Sequence, residues 1–186
     1  MEFKHIEKIH QGKFITRYNL TYETASGRKK IYEMISRNPS VTDGAMLHEG
    51  RVDAVVMIMH DESDEQLLLS REFRMAVGEW VYNFPAGLID AGEDAASAAE
   101  RELREETGLR LQHITDIWLE SYSAVGFANE KNIVVEGIAA GEILPSDSEL
   151  EEIEAFWYTK AEIRALLKVA RFAARTQAYC KLWSRS

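Results

Sequence analysis

Between Gly87 and Leu109 the chain reads GLIDAGEDAASAAERELREETGL, a segment in which residue type and spacing together leave few choices of local structure. Asp90 and Gly92 are turn formers, and the alanine-rich run after them favours helix. Glu93 and Asp94 suit a helix N-terminus, where they meet the positive end of its dipole. Gly108 suits the C-terminal stop. Within the predicted helix Glu102 and Glu106 are four residues apart and share a face, with Glu105, three from Glu102, on its edge. Like charges at these spacings destabilise a bare helix by roughly 0.2–0.5 kcal/mol per pair. A cation held between them reverses that sign. Mg²⁺ takes oxygen ligands and often uses one or two carboxylates plus substrate phosphates, so a carboxylate ladder on one helix is a partial cage for it. The bland reading is a solvated acidic face paired with Arg101 and Arg104. It leaves unexplained the fixed distance from Gly87 and the adjoining turn Phe84-Pro85-Ala86-Gly87.

Composition narrows the class. The chain has 186 residues, enough for one domain of ordinary size with a small extension. A hydrophobic content of 46% with mixed charge is globular. No 18-residue apolar run is present, so no transmembrane helix is expected. The N-terminal stretch MEFKHIEKIHQGKF lacks an apolar signal core, and a cytoplasmic location is expected. The single cysteine, Cys180, sits among apolar residues and is expected to pack rather than react. A net charge of −9 argues against broad nucleic-acid binding, which usually needs a basic stripe. It fits a site that meets polyphosphate through local arginines and divalent cations.

Along the chain, KFITRYNLTYE and KKIYEMISR flank Ser26-Gly27 and predict an antiparallel hairpin within residues 13–37. Apolar runs predict strands at Val52–Met59 and Gln66–Ser70, and a short strand at Trp80–Phe84 enters the glutamate segment. Further strands are expected near Ile114–Tyr122, Asn132–Ala139 and Glu154–Tyr158. Thr159 and Glu162 have capping-box spacing at the start of a helix. A last helix is expected over roughly Phe172–Trp183. The order of elements gives a mixed α/β plan.

The segment from Gly87 resembles the Nudix box, the signature of hydrolases acting on nucleoside diphosphates linked to another group. Glu93 follows Gly87 after five residues. Seven more precede Arg101-Glu102-Leu103-x-Glu105-Glu106-x-Gly108-Leu109. Seven residue types and two apolar positions are fixed, and a chance match at a given start is on the order of one in a billion. FPAGLID at Phe84–Asp90, REFR at Arg71–Arg74 and the hairpin with GKF and IYEMISR resemble one branch, the ADP-ribose and nucleoside-diphosphate-sugar pyrophosphatases.

That resemblance implies an α/β/α sandwich with a small N-terminal antiparallel β region. Residues 1–48 would form the β region, serving dimerisation and the nucleotide pocket, and 49–186 the hydrolase domain. It implies a homodimer, Mg²⁺ as cofactor with Mn²⁺ as a substitute, and a small nucleoside diphosphate derivative as substrate, with neither nucleic acid nor membrane as partner. Phe14 and Tyr32 fall at adenine-stacking positions, Glu33 where adenine is hydrogen-bonded, and Arg37 and Arg74 where arginines meet phosphate or ribose. Glu102 and Glu106, with Glu105 close by and the Ala86 carbonyl, correspond to metal ligands. Arg101 would orient the carboxylates and Glu93 would brace the loop. A further acid is expected from the loop Pro145–Glu154, with Glu149 and Glu151 the first candidates and Glu152 next. Two positions depart from the branch. Val125 stands where a proline is usual, and Asn83 where a glutamate is usual. A GDP-mannose-type or other nucleotide derivative is the alternative substrate. A nucleotide-sensing module without activity is the alternative of another class, and its mark would be loss of the box acids, all of which are present.

Overall fold

A computed structural model describes residues 1–148 and 150–185. The chain divides into two compact units, residues 1–53 with 120–132, and residues 54–119 with 133–186.

The first unit is built on a three-stranded antiparallel sheet of β1 (Glu2–Gln11), β2 (Thr16–Glu23) and β3 (Lys29–Ser36). The predicted hairpin is β2–β3; β1 was not foreseen. Its register slips between Phe3 and His5 and again between Lys8 and His10. These bulges turn the period of two into a spacing of three, so Phe3, Ile6 and Ile9 are the half-buried positions. Tyr18, Leu20, Met34 and Val41 form the core, with Phe3, Ile6, Tyr22 and Tyr32 packed against it. Leu20 is therefore covered within its own unit, whereas Phe14, Ile15 and Ile31 are exposed.

The segment 120–132 joins this unit through backbone and side-chain bonds. The Ile35 amide donates to the Phe127 carbonyl at 2.9 Å. The buried Lys131 donates from Nζ to the carbonyls of His48 and Gly50 and to the Glu120 carboxylate. A short strand β9 (Ser121–Tyr122) pairs with the start of β10 (Lys131–Ala140).

In the second unit the strands β4 (Ala54–His60), β5 (Gln66–Arg74), β8 (Arg110–Ile117), β10 and β11 (Ile153–Thr159) lie in the order β11-β5-β4-β10-β8. Every residue of β4 is buried, as its unbroken apolar run requires of a central strand. Val56, Ile58, Leu67 and Leu69 join Ile163 and Cys180 in one cluster, contributed by α2 (Lys160–Leu166) and α3 (Ala174–Trp183). By strand alternation Val55, Met57 and Leu68 point to the opposite face, where α1 (Ala95–Thr107) packs. Helices on both faces of the sheet give the α/β/α sandwich.

Local signals set the helix ends. Asp94 caps α1 by accepting the Ser97 amide at 2.8 Å, and Gly108 ends it in the left-handed conformation at φ 75°. Thr159 and Glu162 form the full capping box of α2. The last helix starts two residues later than expected because Arg171 and Ala173 bond to the backbone of Tyr82, and Phe172 stacks on the Tyr82 ring. Cys180 is buried, and its thiol is pushed up to about 12 by that burial, in accord with a packing role.

Candidate active site

The site begins where β4 and β5 part. They pair only at His60 and Leu67, beside the turn that joins them. Beyond that point β5 pairs with β6 (Glu79–Asn83), and β4 pairs with β7 (Ala86–Leu88). Phe84 and Pro85 carry the chain from one to the other, and the Pro85 carbonyl accepts the Met57 amide. The open seam brings β7 against α1.

Gly87 lies directly under the carboxylate of Glu102. A Cβ on Gly87 would stand 1.9 Å from Glu102 Cδ and 2.2 Å from each carboxylate oxygen, so only glycine leaves that carboxylate its place. One residue earlier, the Ala86 amide donates to Glu106 Oε2 at 3.3 Å. The box glycine and the residue before it thus each hold one rung of the ladder.

Arg101 is the hub of the half-buried charges. Its Nε and Nη2 donate to the two oxygens of Glu93 at 3.1 and 2.8 Å, Nη2 also to the Leu88 carbonyl at 2.9 Å, and Nη1 to Glu102 at 2.7 Å and Glu105 at 3.3 Å. Glu93 in turn accepts the Asp90 amide at 3.1 Å, which closes the loop entering α1. The Arg101 guanidinium holds the Glu93 carboxyl below its usual range, and Glu93 above all raises the pKa of Arg101.

The ladder itself is short of positive charge. Burial raises the pKa of Glu102 even with Arg101 beside it. Glu106 is pushed up to about 8, first by burial and then by the negative charges of Glu102, Glu72 and Glu151. Four carboxylates from three parts of the chain therefore act on one buried place. Among the described residues no three of them stand close enough to form a complete metal cage. The donor set fits a cation that keeps waters and takes its remaining ligands from a bound phosphate, the usual habit of Mg²⁺.

The loop before β11 is tied to the C-terminal end of α1. The Leu144 amide donates to the Thr107 carbonyl and the Asp147 amide to the Glu105 carbonyl, both at 2.9 Å. These bonds satisfy carbonyls that a helix end leaves open. They also bring Glu151 within electrostatic reach of Glu106. Glu149 lies outside the described residues. The Glu152 carbonyl accepts the Phe73 amide at 3.1 Å.

Glu72 was not singled out from the sequence. It lies on β5 with its side chain 17% exposed, two residues from Arg74, to which it is paired. Strand alternation puts it on the same face as Leu68, toward α1, but Leu67 to Leu69 are all buried, so no polar alternation marks that face. Arg74 itself is exposed at the end of β5. Asn83 accepts from the buried Thr176 hydroxyl of α3 at 2.8 Å, and that hydroxyl also accepts the Phe84 amide. In this chain the departure at Asn83 thus serves to fasten α3 to the turn before Gly87.

The remaining candidates lie in the first unit. Phe14 is 70% exposed in the β1–β2 turn, with the Lys13 ammonium 4.9 Å from its ring centre. Tyr32 lines an apolar cavity of about 310 Å³ with Leu20, Met34, Leu47, Val125 and Phe127, and its hydroxyl donates to the Gly126 carbonyl. Glu33 projects from the other face of β3 and is exposed. Arg37 donates to Glu130 at 2.6 Å.

Residues 50–179 match the NUDIX domain. The chain belongs to the NUDIX family. Among curated relatives, an ADP-ribose pyrophosphatase of Saccharomyces cerevisiae is 32% identical over 108 residues, 58% of this chain and 46% of that protein. The ADP compounds hydrolase NudE of Escherichia coli is 28% identical over 149 residues, 80% of this chain and 70% of the relative. An ADP-ribose pyrophosphatase of Bacillus subtilis is 27% identical over 165 residues, 88% and 79% of the two chains. This chain spans about half the length of the first two relatives it matches, the yeast protein and a nudix hydrolase of Caenorhabditis elegans. The crystal structure of an ADP compounds hydrolase superposes with a TM-score of 0.75 over 100% of this chain and 93% of that one, at 21% identity, which shows that the NUDIX fold is shared.

Proposed function

We propose that this NUDIX protein hydrolyses the pyrophosphate bond of a nucleoside diphosphate linked to another group, with ADP-ribose or an ADP-sugar as the preferred class. The products are then AMP and a sugar phosphate. The observation that carries this reading is the buried carboxylate ladder of α1, with Glu102 seated on Gly87 and Glu106 on the Ala86 amide. Such a concentration of buried negative charge is costly unless a cation shares it. Relatives named for ADP-ribose, ADP-sugar and ADP compounds support the substrate class.

Glu102 and Glu106, with Glu105 at the edge and the Ala86 carbonyl, would hold Mg²⁺, for which Mn²⁺ can substitute. A divalent cation there supplies positive charge against the diphosphate and acidifies the attacking water. Arg101 keeps Glu102 and Glu105 oriented and is itself fixed by Glu93 and the Leu88 carbonyl. Glu151, or Glu149 from the same loop, accepts the proton of the water. Arg74 and Arg37 steady phosphate or ribose oxygens through charged hydrogen bonds. Phe14 and Tyr32 supply ring faces to the base, and Glu33 a hydrogen-bond acceptor. The apolar residues left exposed on the N-terminal sheet, Phe14, Ile15 and Ile31, support a homodimer. No helix among the described residues is long and apolar enough to cross a membrane. A cytoplasmic enzyme with a small-molecule substrate, and without nucleic acid or membrane as partner, is the setting we propose.

The departures at Asn83 and Val125 favour a second reading, in which the ladder performs the same reaction on a GDP-mannose-type or other nucleotide derivative. A panel of nucleoside-diphosphate sugars with Mg²⁺, scored by release of phosphatase-sensitive phosphate, tests both. ADP-ribose or an ADP-sugar should lead the panel. Preference for a guanosine or uridine derivative would reject the first reading, and silence across the panel would reject both.

A further inference from the structure

The C-terminal segment carries a charge opposite to that of the rest of the chain. Residues 160–186 hold seven of the 22 lysines and arginines but one of the 31 aspartates and glutamates. Four of these cations line one cleft of about 370 Å³ between α2 and α3, where Arg164 and Lys168 face Lys181 and Arg185. We propose that this cleft binds a small phosphate-bearing anion, at a place separate from the glutamate ladder and independent of its chemistry.

The arrangement goes beyond helix capping. Arg164 lies in α2 with Lys168 just past its end, and Lys181 lies in α3 with Arg185 just past its end, so each wall of the cleft brings two like charges to the same place. The C-terminal ends of α2 and α3 each offer only about half a negative charge. Four cations against roughly one negative charge leave a clear excess. Among the described residues none of the four forms an ion pair with a carboxylate, although the chain is acidic overall. The two walls are tied together, because Arg164 donates to the Ser184 carbonyl. Ser184 also lines the cleft, and its buried hydroxyl has no partner.

A phosphate group suits this setting better than a carboxylate. It carries up to two charges and offers oxygens in several directions, whereas a carboxylate presents one charge in one plane. Guanidinium forks and ammonium groups from opposite walls can then each find an oxygen. The volume lies within the range of small-ligand pockets, about 300–1,000 Å³.

The test uses the full chain in EDTA, so that turnover plays no part and failure of the hydrolase reading leaves the result interpretable. Inorganic phosphate, AMP and ribose 5-phosphate are titrated separately at constant ionic strength, with chemical shifts of the Lys168, Lys181 and Ser184 amides as the readout. All four cations are exposed, so Lys168→Ala/Lys181→Ala should fold normally. Saturable shifts in the parent, weakened at least about tenfold in the double variant, are expected from the loss of charged hydrogen bonds. Equal affinity for the three probes would identify the phosphate group itself as the ligand; tighter AMP or ribose 5-phosphate would identify a nucleotide-like or sugar-phosphate anion. Shifts equal to those in sodium chloride, equal binding by the double variant, or binding of a single-stranded RNA oligomer without binding of the three probes would each overturn the proposal.

Discussion

Gly87 and Glu102 give the sharpest residue-scale test. A methyl group on Gly87 would meet the tip of a flexible side chain, so the fold can absorb it, but only by moving the Glu102 carboxylate. Gly87→Ala should therefore lower turnover about a hundredfold or more, the typical effect of a misplacement near 1 Å. Its melting temperature should change little. A large loss of stability with retained kcat would contradict this account.

Glu106 predicts a pH dependence. Its pKa of about 8 lies above the ordinary 4.5, so the metal-free fold favours the protonated carboxyl. That contribution to stability is complete below about 4.5 and is lost as pH rises through about 8. Melting temperature in EDTA should fall across this window, Glu106→Gln should flatten the fall, and Mg²⁺ should stabilise the parent more at the alkaline end. A parent curve in EDTA that matches that of Glu106→Gln would contradict it. These carboxylates were legible in the sequence because helical spacing fixes which of them share a face. Glu72 was not, since a strand buried on both faces hides its alternation.

At the scale of elements, helix limits were the most readable. Asp94, Gly108 and the Thr159–Glu162 pair act through bonds within a few residues, so their meaning survives without tertiary information. Asp94→Ala removes the acceptor of the Ser97 amide and should lower the midpoint of urea denaturation. No change in the midpoint would show that the cap contributes nothing. The strand β1 was hidden for the opposite reason, because two bulges against β2 give it a helix-like spacing of apolar residues. The start of α3 was similarly misplaced, since backbone bonds to Tyr82, remote in sequence, hold Arg171 to Ala173 extended. The role of the loop before β11 also depends on remote partners. Its bonds to the last turn of α1, and that of Glu152 to Phe73 on β5, bring Glu151 near Glu106.

The whole molecule combines an acidic chain, a NUDIX fold and a buried carboxylate ladder. The N-terminal sheet covers Leu20 within its own unit but leaves Phe14, Ile15 and Ile31 in water. We expect a homodimer in light scattering at micromolar concentration, and a monomer there would remove the support this surface gives to a shared nucleotide pocket. The α1 ladder is expected to carry metal-dependent pyrophosphate hydrolysis. The most direct measurement is chromatographic detection of AMP from ADP-ribose, with and without Mg²⁺, for the parent and for Glu106→Gln with an unchanged circular dichroism spectrum. AMP and ribose 5-phosphate should form with the parent only when Mg²⁺ is present, and Glu106→Gln should lose most turnover. Equal AMP release by the folded variant at saturating Mg²⁺, or undiminished release by the parent in EDTA, would contradict it.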